Sequence, residues 1–261
     1  VAGVVLGLAE LCKFTLVVLY PLLPLLWIAY RLPDRKTMAV RELFRQGGLM
    51  AGMLLLSIHV LNCGYLFAGT FEPIEKFRFQ TALFNGIGSL EEVPPEGGNV
   101  FAGTWIGGLP SPLPAAMIQG LDTQRLDFER GLPSYVRGQW SDHGWWYYYL
   151  YALAVKGPLG MWCLVALAAA VTVFTRYYNS SWRDEMVIVA PGLVILTFVS
   201  SQTGFSAHSR YVIPALPFLF VWTSKLGRVF KMQAFAARRP WLTTPVVVAL
   251  VWSVGSHLWV F

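Results

Sequence analysis

The stretch Trp145–Thr175, WWYYYLYALAVKGPLGMWCLVALAAAVTVFT, decides how the chain is read. It is apolar throughout and longer than the roughly 20 residues that one straight membrane helix needs. Lys156-Gly157-Pro158 interrupts it, because proline lacks an N–H and its ring clashes with the preceding turn. The pattern predicts an interfacial helix over Trp145–Val155 and a membrane span over Leu159–Thr175. Trp145, Trp146, Tyr147, Tyr148, Tyr149 and Tyr151 cover every face of the first helix. Most of them are expected in an aromatic belt at headgroup level, with one ring free to stack on a sugar.

Further apolar stretches lie on either side: Val1–Leu11, Thr15–Tyr30, Gly47–Phe67, Met186–Ser200, Tyr211–Ser224 and Leu242–Val260. The expected fold is all-α, a polytopic transmembrane helical protein. It has about seven membrane segments in one domain over 1–261, with a long external loop at 68–143. Composition agrees. The chain is 56% hydrophobic and 13% charged, and its mean hydropathy is +0.53. Soluble domains carry about a quarter charged residues. These values exclude a soluble globular enzyme, a disordered chain and a fibrous protein. Continuous rather than alternating apolar runs argue against a β-barrel. The chain opens at Val1 inside an apolar stretch, so we read it as a piece of a longer protein.

Charge sets the orientation. Segments 31–46, 176–185 and 225–239 together hold twelve basic and four acidic residues. Segment 68–143 holds five basic and nine acidic ones, and 201–210 adds Arg210. The positive-inside rule assigns the first three to the cytoplasm and 68–143 to the outside. The net charge of +6 is therefore a topology signal, and no nucleic-acid partner is expected. Cys12, Cys63 and Cys163 share no metal-ligand spacing, so no metal or cofactor site is expected and the three are read as small buried hydrophobes.

Ionisable groups at membrane depth are expensive, and each is a candidate for function. Lys13 and Lys156 sit at breaks between apolar segments, and Arg210 opens the run His208-Ser209-Arg210-Tyr211. Either they snorkel to the headgroups or they form one cluster for a phosphate, the reading we favour. Glu10, one turn from Lys13, either pairs with it or lines the same cavity; pairing is favoured. His208 is either a donor to a substrate oxygen or an interfacial histidine. Asn62 and Tyr65 either hold a sugar hydroxyl or serve as a helix cap and a belt tyrosine. The acids Glu72, Glu75, Asp122, Asp127, Glu129 and Asp142 include no pair singled out by spacing. Within 68–143, a short helix is expected at Thr123–Glu129. The Pro- and Gly-rich part with Phe101, Trp105, Ile106 and Leu109 is expected to fold over an external cavity. Asn179-Ser180-Ser181 matches a glycosylation sequon but falls in a loop assigned to the cytoplasm.

Three stretches together resemble a known family. Gly3–Thr15 (GVVLGLAELCKFT) resembles the Gly-Leu-Ala…Lys-x-Thr segment of polyprenyl-phosphate-sugar-dependent glycosyltransferases. Trp145–Gly160 resembles their aromatic run followed by Lys-x-Pro-Leu, and His208–Pro217 (HSRYVIPALP) their Arg-Tyr…Pro…Pro segment. The family is the dolichyl-phosphate-mannose-protein mannosyltransferase-like group, glycosyltransferase family 39, of the GT-C membrane fold. The loop Asn99–Gly144 looks most like that of planctomycete bacterial members. The resemblance implies an enzyme of the bacterial inner membrane, active on the external or periplasmic side. It would move a mannose-like sugar, with inversion, from a polyprenyl-phosphate donor to a protein or lipid acceptor. Lys13, Lys156 and Arg210 would bind the donor phosphate. Glu10, Asn62, Tyr65, His208 and Tyr211 would line the substrate cavity. The family's acidic catalytic motif follows its first span and has no counterpart here. The chain as given is therefore expected to lack the catalytic base and to be inactive alone.

A second class fits the same composition: a transporter or flippase of a lipid-linked substrate. Such proteins show paired broken helices in related halves and acids at mid-membrane. No internal repeat is visible, and the basic residues gather at one surface. A non-catalytic membrane scaffold would not need basic residues at helix breaks.

Overall fold

The computed structural model describes residues 1–34, 39–88, 90, 97–174, 181–204, 206, 208–228 and 240–260. Arg35, Lys36, Arg176, Lys231, Arg238 and Arg239 of the basic segments, and Asn179-Ser180 of the sequon, lie outside the described residues. The chain divides into two compact units, 1–146 with 202–207 and 147–201 with 208–261.

The first unit is organised by glycine. Helix α1 (Ala2–Cys12) lies along α3 (Val40–Gly64). Gly3 faces Met53 and Leu56, Gly7 faces Ser57 and Val60, and Leu11 faces Gly64. The two helices therefore run parallel. A Cβ on Gly3 or Gly7 would come within 2.6 Å of a carbonyl oxygen of α3. This is the small-xxx-small spacing by which membrane helices reach van der Waals contact where lipid offers no hydrophobic drive. Helix α2 (Leu19–Arg31), preceded by the 3₁₀ stretch Phe14–Val18, runs back along α3 in the opposite direction. Ser57 Oγ and Tyr20 Oη are 3.1 Å apart. At the other end Arg31 Nε and Trp27 Nε1 donate to Gln46 Oε1 at 2.9 and 3.3 Å. Gln46 Nε2 and Arg45 in turn donate to Glu42.

Residues after α3 form an ordered lobe rather than an irregular loop. Phe77, Phe79, Phe84 and Phe101 pack ring against ring. Helix α4 (Ala115–Arg130) is longer than the expected Thr123–Glu129, because Pro114 supplies a helix-compatible φ at its N-cap. Asp122 is buried and accepts from Gln80 N at 2.7 Å and Thr81 Oγ1 at 2.6 Å. Glu129 accepts from Ala82 N at 2.7 Å. A hairpin, β1 (Ser134–Val136) with β2 (Gln139–Ser141), turns at Arg137-Gly138 with φ of 52° and 84°. Two positive φ values give the primed turn whose twist suits a tight hairpin. The expected fold-over of 99–114 is corrected. Ile74 N and Glu75 N bond to the carbonyls of Leu109 and Gly107, and Phe101 joins the ring cluster, but Trp105 is 78% exposed. The segment closes on its own lobe.

In the second unit α5 (Tyr148–Lys156) meets α6 (Leu159–Phe174) at 109°. Gly157 N makes the last regular bond of α5, to Leu153 O at 2.9 Å, and Trp162 Nε1 donates to the same carbonyl at 3.2 Å, tying the start of α6 to the end of α5. Helix α7 (Trp182–Ser201) packs on α8 (Leu216–Thr223), and α6 packs on α9 (Pro240–Val260). Ala168, Val171, Leu226 and Val246 form a buried core. Beside it Lys225 Nζ is 2.6 Å from Glu185 Oε2 and 2.9 Å from Thr172 Oγ1. Tyr148 and Tyr149 are buried, so the aromatic run is only partly a belt. Cys12, Cys63 and Cys163 are free and exposed on helix surfaces, not buried.

The all-α membrane architecture stands, but the seven segments do not. Among the described residues, three stretches are long and apolar enough to cross a membrane: Phe14–Asp34, Val40–Gly64 and Trp182–Ser201. The bent pair α5–α6 makes a fourth if it is one span. Helix α1 has 11 residues, about 16 Å of rise against the roughly 30 Å of a bilayer core. Pro214 and Pro217 break 211–224 into 3₁₀ turns and the eight-residue α8.

Substituting Gly7→Leu is expected to lower stability by about 1–3 kcal/mol through overpacking against Ser57 and Val60. Gly48→Leu, where a Cβ meets nothing within 4 Å, should be near neutral. Thermal unfolding in detergent reads both.

Candidate functional site

The site residues divide between the two units. Lys13, Glu10, Asn62 and Tyr65 belong to the first; Lys156, His208, Arg210 and Tyr211 belong to the second.

In the first unit Lys13 ends α1 in extended backbone, φ −158°, and is half-buried. Glu10 is 1% exposed, and neither carboxylate oxygen has a hydrogen-bond partner among the described residues. The expected Glu10–Lys13 pairing is therefore not formed. Burial also keeps Glu10 from reaching a ligand in this conformation. Asn62 is 2% exposed and fully engaged. Its Nδ2 donates to Ile58 O and Pro112 O, both at 2.9 Å, and its Oδ1 accepts from Thr70 Oγ1 at 2.5 Å. Asn62 is thus a cap that anchors the turn after α3, where Leu66, Phe67 and Phe71 hold φ of 53°, 58° and 64°. Such left-handed backbone at bulky residues persists only where the surroundings fix it. Tyr65 follows as a half-buried residue.

In the second unit the break between α5 and α6 opens a groove of about 390 Å³. Lys156, Gly157 and Pro158 form one part of its wall, and Ser209 forms another. Leu153, Met161, Leu164, Val212, Ile213, Leu216 and Phe220 make the remainder apolar. Lys156 is exposed, so its ammonium is available to a ligand. The turn Ser209–Tyr211 packs on α5, which brings Arg210 to the element that carries Lys156. Arg210 is exposed, with its guanidinium carbon 5.5 Å from the centre of the buried Tyr211 ring. His208 is exposed, its ring 6.5 Å from that of Tyr211. Thr223 and Ser253 also reach the wall, but their hydroxyls donate to Phe220 O and Ala249 O, so the groove offers Lys156 and Ser209 to a polar head and mostly hydrocarbon elsewhere. That suits an amphiphile with an anionic head.

Ser209, Glu185, Trp222 and Lys225 were not anticipated as site residues. Glu185 stands beside Asp184, and Lys225 opens a segment of five basic residues, so charge alone does not mark the two as a pair. Among the acids of 68–143, Asp122 and Glu129 hold the backbone of 80–82.

Compared with known proteins, the chain matches no family model, and no curated protein or solved structure matches it.

Asn62→Ala should lower stability by about 1–3 kcal/mol, because Thr70 and Pro112 lose their partner. Ligand binding to the second unit should be unchanged in the surviving folded fraction. A melt paired with a binding isotherm separates the two effects.

Proposed function

We propose that this protein is an integral-membrane glycosyltransferase that takes a mannose-like sugar from a polyprenyl-phosphate donor. The supporting observation is the groove of the second unit, with Lys156 and Ser209 on its wall and mostly apolar side chains elsewhere. A polyprenyl phosphate has the matching division: an anionic head and a long hydrocarbon chain. Lysine supplies a compact charge and Arg210 a planar fork for the phosphate oxygens. Fixed positive charge in a partly dry site stabilises a phosphate leaving group as its bond to the anomeric carbon breaks. The resemblance gives His208 and Tyr211 places in the same substrate cavity. The resemblance gives Lys13 the same role as Lys156. The acceptor hydroxyl needs a base, which the resemblance assigns to an acidic loop with no counterpart in 1–261. The reaction side is taken as external, in a bacterial inner membrane, from the charge asymmetry of the loops.

The 109° break between α5 and α6 favours the rival reading, a transporter of a lipid-linked substrate, since broken helices recur in transporter sites. The two differ in product: a transferase releases polyprenyl phosphate and a glycosylated acceptor, whereas a transporter returns the donor intact.

The test uses the protein in its native membranes with a radiolabelled polyprenyl-phosphate sugar. Lys156→Ala and Arg210→Ala should each reduce transfer about 10²-fold or more, and Arg210→Lys should not restore it. Unchanged transfer in Arg210→Ala would reduce these residues to headgroup anchors. Lys13→Ala tests the third cation separately. For orientation, Trp105→Cys in a background without native cysteines should react with an impermeant maleimide in intact cells. Reaction only after permeabilisation would reverse the sidedness.

A further inference from the structure

Helix α1 buries Gly3, Leu6, Gly7 and Glu10. Gly3 and Gly7 seat it on α3, and Glu10 continues the same face one turn further, where a third small residue would suit the packing. The position holds a carboxyl instead. Both its oxygens are buried, and neither has a hydrogen-bond partner among the described residues.

No charge on the neighbouring elements offsets it. The 3₁₀ stretch Phe14–Val18 packs back on α1 and carries no titratable side chain, and its Thr15 Oγ1 is itself buried without a partner among the described residues. On α3, Arg41, Glu42 and Arg45 precede Met53, which meets Gly3, so they lie beyond the opposite end of α1. His59 is exposed and turned to Phe67, with 5.5 Å between ring centres, and Cys63 is exposed. Lys13 follows the last turn of α1 and makes no bond to Glu10. From α2, Tyr20 stands within electrostatic reach of Glu10, as a phenol rather than a cation. Its Oη lies 3.1 Å from Ser57 Oγ, which donates to Leu54 O at 2.9 Å. An ionised carboxylate enclosed in this way loses its hydration and gains nothing in return, whereas a carboxylic acid carries no charge to solvate. A proton also needs no room, unlike a hard cation with its shell of oxygens.

We propose that Glu10 is a proton-binding site that latches α1 to α3: it holds its proton at neutral pH, and release of that proton to solvent parts the two helices. The charged form has to reach water or a cation, and at 1% exposure it reaches neither while the contact holds. Lys13 continues the backbone of α1 and moves with it, so proton occupancy sets where that lysine stands. The site is independent of which ligand Lys13 meets. The closed contact requires the neutral form. It is therefore complete at low pH and weakens as pH rises, by at most about tenfold per pH unit for a single proton.

The test uses the protein in phosphatidylcholine nanodiscs, with every cysteine other than Cys12 and Cys63 replaced by alanine. Cys12 follows Leu11 and Cys63 precedes Gly64, the residue that Leu11 touches. One step forward on one helix and one step back on its parallel neighbour turn to the same side, so the two exposed thiols flank the contact. A short bifunctional bimane reads their proximity, normalised to a monofunctional bimane because thiolate content rises with pH. Infrared difference spectra between this protein and its Glu10→Gln variant should show the carbonyl stretch of a protonated carboxyl at neutral pH. Crosslinking should fall in step with that band as pH rises. Glu10→Gln should crosslink equally at every pH, Gly7→Leu should crosslink poorly at every pH, and His59→Gln should leave the pH dependence unchanged. Absence of the band at neutral pH would overturn the proposal, and so would its displacement by sodium or potassium, which would make Glu10 a cation site. Crosslinking that stays constant while the band titrates would overturn the latch. Loss of the pH dependence in His59→Gln would assign the proton to that histidine instead. Should Glu10→Gln fail to fold, the coincidence of band and crosslinking in the parent protein decides between these outcomes.

Discussion

Proline at position 158 removes one backbone donor from an apolar stretch, and much of the second unit follows from that loss. The N–H that Pro158 lacks would have met Ala154 O, so the helical ladder of α5 stops with the bond from Gly157 N to Leu153 O, a carbonyl to which Trp162 Nε1 adds a second donor. Past that point α5 leaves the line of α6 by 109°. The opened angle is the groove, and Lys156 stands at its rim because it is the last residue of α5. Helix break, cavity and cation are thus one feature seen at three scales.

Much of this was legible in the sequence, because proline, lysine and apolar length each act locally. The break at 156–158, the helical class and the long spans near 15–30, 47–67 and 186–200 all follow from such local rules. What escaped was set by tertiary contact. Gly3 and Gly7 read as ordinary residues of an apolar run until α3 lies against them. The Arg137-Gly138 turn lacks the Asn-Gly signature, and its positive φ values appear only once the strands pair. The span count failed for a similar reason. Hydropathy sums over 211–224 treated Pro214 and Pro217 as two residues among many, whereas in three dimensions they leave only an eight-residue helix.

At the candidate site, the residue types that bear charge were foreseen, but their states were not. For Glu10 the sequence leaves pairing with Lys13 or a place in a cavity, and for Asn62 a sugar contact or a helix cap; the cap is what Asn62 forms. The first is enclosed by the parallel packing of α1 on α3, and the second is used up by Pro112 and Thr70, 50 and 8 residues away. Spacing along the chain carries no information about such partners. Lys156 and Arg210 differ because helix ends keep their side chains exposed, and exposure at a break is something sequence does encode.

Lys225 illustrates how one charge serves at two moments. While a helix is being inserted, its flanking lysine is solvated and has met no partner, and it weighs fully in deciding which end is retained. After α6, α7 and α8 assemble, the same ammonium is bonded to Glu185 and Thr172 and is 9% exposed. The decision and the lock are therefore separated in time. Swapping Lys225 and Glu185 would preserve the finished pair yet alter the charge seen during biogenesis, so the order of events, not only the final contacts, constrains which residue occupies each end.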